Sequence, residues 1–105
     1  MEKLTDIEIV YKVAEIQGQK LEMRGDPSID NIWRVCGPMP YNPFHWALNC
    51  MLRDEYKVSI NYNYGQAQIY IKHYLFCFTF EQSQHDICRA VLLVIIAAHG
   101  NGEKS

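Results

Sequence analysis

The stretch from Ile87 to Ala98 constrains this chain more than any other. Ile87, Cys88, Val91, Leu92, Ile95 and Ala98 fall on one helical stripe, and Leu93, Val94 and Ile96 make the opposite side apolar too. A helix that is apolar all round must be covered all round. Its uninterrupted apolar run, Ala90 to Ala98, is nine residues long, against the ~20 that a bilayer span needs. The cover must therefore be protein, either a sheet plus helices of the same subunit or a second subunit. In a chain of 105 residues the second subunit is expected, as a homodimer through the 83–99 helix or a sheet edge.

The remaining elements predict an α+β fold, a small helix/sheet sandwich in the order α-β-α-β-β(-β)-α with an antiparallel sheet. Thr5 and Asp6 can cap a first helix whose Leu4, Ile7, Val10, Val13, Ala14 and Ile16 keep to one broad stripe, with Gly18 as its stop. Residues Gly25 to Pro43 are rich in Pro, Gly, Asn and Asp and read mostly as loop. Within them Ile32 to Cys36 predicts a short strand with Trp33 and Val35 on one face, closed by Gly37-Pro38. Asn42 as N-cap and Pro43 at the first helical position predict a second helix. Its stripe is Phe44, Ala47, Leu48, Met51 and Leu52; Trp46 and Cys50 widen it, which suggests burial on more than one side, and Arg53, Asp54 and Glu55 end it.

Val58, Ile60, Tyr62 and Tyr64 alternate with polar residues as a half-packed strand does, and Gly65 allows a tight turn. Ala67, Ile69 and Ile71 continue on the returning strand, with Tyr70, Lys72 and Tyr74 on its other face. Phe76, Phe78 and Phe80 have the opposite parity, so a turn or bulge between His73 and Leu75 must absorb one residue. Ser83, with Asp86 three residues on, predicts the start of the final helix; His99-Gly100-Asn101-Gly102 ends it, leaving 100–105 as a frayed tail.

Composition supports one globular domain over 1–105, since 49% of residues are hydrophobic and 21% charged. A formal net charge of −2, with the basic residues scattered, argues against a protein that grips duplex nucleic acid by its phosphates. The mixed-charge start, Met1-Glu2-Lys3-Leu4-Thr5-Asp6, lacks the pattern of a secretory signal, so a cytoplasmic location without membrane contact is expected. Cys36, Cys50, Cys77 and Cys88 form no C-x-x-C pair and read as small buried hydrophobes.

Tyr41-Asn42-Pro43, Trp46-Ala47, Tyr56-Lys57-Val58-Ser59-Ile60 and Ile87-Cys88-Arg89-Ala90 through His99-Gly100 resemble small phage and prophage proteins, those of the phage ABA sandwich domain and the NinX-like family. Val13-Ala14-Glu15 extends the resemblance, which covers most of the chain in short motifs. It implies a helix and sheet sandwich of phage origin and transfers no catalytic residue. The aromatic-rich stretch from Tyr70 to Phe80 and the longer loop before Trp33 depart from the family pattern. Small phage accessory proteins frequently act on host defence, so the resemblance, rather than any residue, points to stoichiometric inhibition of a host defence protein.

Chemistry in the residues is sparse, and an enzyme is not expected. His45 with Cys50 and His85 with Cys88 are metal-like pairs, but neither has a recognised zinc spacing, and core cysteines beside solvent histidines explain them without coincidence. No element marks Cys36 or Cys88 as an activated thiol, and no glycine-rich phosphate loop is present, so no metal or cofactor is expected. Arg24-Gly25-Asp26 reads as a polar loop. Binding chemistry has two candidate surfaces. One is the loop Tyr41 to Trp46, including His45. The other is the strand face of Tyr70, Lys72 and Tyr74, with Tyr62 and Tyr64 on a neighbouring strand, where rings can stack on bases and lysine can meet phosphate. The simpler reading packs the same tyrosines beneath a helix with their hydroxyls at the edge. The alternative function is an oligomeric sponge for a nucleotide signal, which requires a pocket pairing Arg53, Lys72 or Arg89 with stacked aromatics.

Overall fold

The computed structural model describes residues 4–35, 37, 39–83 and 86–100. Along the chain come α1 (Asp6–Ile16), β1 (Leu21–Met23), a 3-10 turn (Ile29–Asn31), β2 (Ile32–Arg34), α2 (Trp46–Tyr56), β3 (Ser59–Asn61), β4 (Gln66–Ile71), β5 (Tyr74–Thr79) and α3 (Ile87–His99). This is the expected α+β sandwich with one added strand, β1. It pairs antiparallel with β2 as a separate hairpin, while β3, β4 and β5 form an antiparallel sheet in that order.

The apolar helix sits at the centre. Ala90, Val91, Leu92, Val94 and Ile95 are fully buried, between β4 and β5 on one side and α1 and α2 on the other. Protein of the same chain supplies the cover, so this helix needs no second subunit to enclose it. The helix also begins later than expected. Asp86 is its N-cap, its carboxylate accepting the Arg89 N–H at 3.3 Å, whereas Ser83 is buried in the preceding turn. Gln84 and His85 lie outside the described residues, as do Cys36 and the 101–105 part of the tail.

α1 begins as read from sequence, through a reciprocal capping box: the Thr5 hydroxyl accepts the Glu8 N–H and the Glu8 carboxylate accepts the Thr5 N–H. Its stripe is broad because it serves two cores. Ile9 and Val13 join the main core against α3, while Val10 and Ala14 close a smaller one with Ile32 and Tyr41 under the β1–β2 hairpin. β2 stops at Arg34, leaving Val35 exposed in a turn rather than on a strand face with Trp33.

α2 departs from expectation in both start and face. Asn42 caps a turn, its side-chain oxygen accepting the Phe44 N–H, and the helix starts only at Trp46 with the His45 ring as N-cap. Asn49 and Leu52 are its buried residues, and Ala47, Met51 and Trp46 face solvent, so α2 is buried on one side only. The reason is Asn49. Its amide donates to the Pro43 carbonyl at 2.9 Å and to the Cys88 carbonyl at 3.2 Å, turning a polar position inward to tie the 43–45 loop to the start of α3. The helix runs past Arg53–Glu55 to a left-handed cap at Lys57.

In the sheet, β3 is shorter than its alternation suggests. Tyr62 and Tyr64 belong to the turn that follows it, closed by Gly65 at positive φ and by the Asn61 side chain accepting the Tyr64 N–H. The parity switch before β5 is the two-residue connection Lys72-His73, with Lys72 left-handed at φ 57°. Among the described residues, no helix is long and apolar enough to cross a membrane.

Candidate functional site

Register decides which predicted site residues meet. Ile69 pairs with Phe76 and Ala67 with Phe78, and these side chains form the sheet face packed on α3. Ile71 pairs with Tyr74, so Tyr74 is on that same inner face, beyond the helix and 70% exposed. Tyr70 pairs with Leu75 on the outer face, and Lys72 is in the turn. The expected single face of Tyr70, Lys72 and Tyr74 is thus split, because the two-residue connection gives the strands a parity that places Tyr70 and Tyr74 on opposite sides. Tyr62 and Tyr64 are further away still. They sit at the Gln66 end of β4 and Tyr70 near its Ile71 end, a strand length of roughly 17 Å. All four tyrosines are exposed, and among the described residues only Tyr62 has an aromatic neighbour, Phe80 at 6.4 Å between centroids.

The Tyr41 to Trp46 surface also divides. Tyr41 is fully buried, its hydroxyl donating to the Gln17 side-chain carbonyl at 3.0 Å and its ring lying 5.3 Å beneath the Arg34 guanidinium. Burial pushes its phenol well above the ordinary tyrosine range. It is a core residue rather than a contact. His45 is exposed and spends Nδ1 on the α2 cap; Trp46 beside it is 70% exposed and Met51 further along α2 is exposed as well.

Of the basic residues, Arg89 is committed to structure. Buried at the head of α3, it pairs with Asp6 and donates to the Leu4 carbonyl at 2.6 Å, locking α3 to the start of α1. Arg53 lies half-buried in the α2–α3 seam, close enough to the Cys88 thiol to lower its pKa, as Cys50 is to raise it. Burial, reinforced by Asp86 and Cys50, outweighs Arg53 and holds the Cys88 thiol up, the reverse of what an activated nucleophile requires. The helix pair therefore brings Cys50 and Cys88 near each other, although no group of three or more metal-ligating side chains occurs among the described residues.

One feature had no signal in the sequence. Pairing of Leu21 with Arg34 closes a shallow depression of about 220 Å³ lined by Gly18, Gln19, Lys20 and Arg34, where the buried Arg34 Nε has no partner among the described residues. Another is the outer edge of β5, six residues without a charge and, among the described residues, with no neighbouring strand. Comparison with known protein families, with characterised proteins and with solved structures finds no match to this chain. Fold and surface together define a small α+β domain with an open sheet edge and isolated exposed aromatics.

Proposed function

We propose that this chain acts by stoichiometric binding of another protein, as an accessory protein of phage origin that blocks a host defence component in the cytoplasm. The observation that supports the reading is the exposure of Trp46, Met51, Tyr62, Tyr64, Tyr70 and Tyr74, each with two-thirds or more of its surface in solvent. Tryptophan, tyrosine and methionine are the side chains enriched where protein interfaces are buried. Trp46 and Met51 sit on the packed frame of α2, which presents them with little further loss of freedom. The phage origin and the host target rest on the sequence resemblance alone.

The sponge alternative draws no support from the geometry of the single chain. Arg89 is consumed by Asp6 and Leu4, and Lys72 does not share a face with a pair of stacked rings. The test is capture from a bacterial host lysate with the tagged protein, compared with Trp46→Ala and with Tyr62→Ala/Tyr64→Ala. A stable protein partner that is retained by the wild type and lost by either variant supports the reading. Native mass spectrometry that finds only a nucleotide-sized gain would replace it with the sponge.

A further inference from the structure

We infer that the free edge of β5 is a self-association site, which pairs antiparallel with β5 of a second copy around a two-fold axis at Phe76. The hydrogen-bond phase of the hairpin carries this. Phe80 donates its N–H to the Gly65 carbonyl at 2.7 Å, continuing the β4–β5 register by one pair. Because bonded and non-bonded pairs alternate in an antiparallel ladder, Tyr74, Phe76 and Phe78 also turn their backbone groups toward β4. Leu75, Cys77 and Thr79 turn theirs away, to the open side.

Thr79 is already closed. Its N–H is accepted by the Gln82 side chain at 2.9 Å and its carbonyl accepts the Ser83 N–H at 3.2 Å. What stays open is the N–H and C=O of Leu75 and of Cys77, four groups without a partner among the described residues. One two-fold register uses them all. With Phe76 on the axis, Leu75 of each copy faces Cys77 of the other, and two bonded pairs make four hydrogen bonds. An axis at Cys77 would set Leu75 against the closed Thr79, and an axis at Leu75 would set Cys77 against the His73 turn.

Side-chain chemistry agrees. A two-fold pair sets each charge near its own copy, and Tyr74 to Phe80 contains no charged residue and no proline, the usual protections of a lone edge strand. Tyr74 and Leu75, 70% and 43% exposed in the single chain, gain Phe78 and Cys77 of the second copy as cross-strand neighbours. The opposite edge offers less, since β3 is three residues long. The product is a six-stranded sheet that keeps α3 of both copies on one face.

The experiment is sedimentation equilibrium of the reduced protein, with amide exchange of β5 followed by NMR at low and high concentration. Wild type is expected to form a dimer, with the Leu75 and Cys77 amides slowing as concentration rises and those of Phe76 and Phe78 slow throughout. Cys77→Pro removes an N–H that β4 does not use. Two hydrogen bonds are lost per dimer, so association should weaken at least about 30-fold with the monomer fold retained. Leu75→Lys, which sets like charges on either side of the axis, should do the same if the proline variant fails to fold. A monomer at every concentration, a dimer that survives both substitutions, or slowing of Leu75 and Cys77 only when a foreign protein is added would each overturn the inference.

Discussion

Asn49 is the residue whose replacement should cost most for its size. It is fully buried, and its amide group holds the Pro43 and Cys88 carbonyls at 2.9 and 3.2 Å, while its own side-chain oxygen is buried without a partner among the described residues. Truncation in Asn49→Ala loses two hydrogen bonds at about 1 kcal/mol each and strands the Pro43 carbonyl for about 1 more, offset by about 1 from deleting the unpartnered oxygen. The net loss is about 2 kcal/mol, or roughly 8–16 °C in Tm for a domain of this size. Asn49→Asp should be worse at neutral pH, by at least about 3 kcal/mol, because a buried carboxylate then faces two carbonyls. Its sign with pH is diagnostic. Burial and the carbonyls raise the folded pKa of the introduced carboxyl above its unfolded value, so the folded state binds the proton more readily and the variant regains stability as pH falls. Urea unfolding with an unchanged m-value is the assay. An alanine variant within about 0.5 kcal/mol of wild type, or an aspartate variant no less stable than alanine at pH 7, would refute the assignment of Asn49 as the tie between the loop and α3.

Leu92→Ala, at the fully buried centre of α3, should cost about 2–5 kcal/mol in urea unfolding, while the exposed Met51→Ala should stay within about 0.5 kcal/mol. His99, tilted against Tyr56 at 5.0 Å, has its pKa lowered by burial. Its neutral form is therefore the one the fold prefers, so stability is full above the ordinary histidine value and declines as pH falls from there through the folded pKa; His99→Phe should flatten that decline in thermal melts between pH 7 and 5. Lys57 closes α2 in the left-handed region at φ 56°, so Lys57→Gly should stabilise by about 1 kcal/mol or less, and a fall in Tm would refute the strain.

Local signals in this chain place structure correctly where the side chain and the backbone it serves are neighbours in sequence. The Thr5–Glu8 box, the α3 stripe and the one-residue parity switch before β5 all act within a few positions, and each is where the residues placed it. α2 starts later than its local signal because Asn42-Pro43 makes an equally good local turn. The inward side of α2 carries Leu48 and Leu52 together with Asn49, whose amide reaches the distant Cys88 carbonyl. The candidate site is less legible, since alternation along one strand carries no information on its partner's register. A two-residue connection was enough to put Tyr70 and Tyr74 on opposite faces of the sheet. The sequence by itself determined that an all-apolar helix had to be enclosed, because exposed apolar surface is costly wherever it lies. Only the tertiary structure decided that α1, α2 and the sheet enclose it within one chain, and that Leu75 and Cys77 keep open backbone groups, because both depend on contacts between residues far apart in sequence.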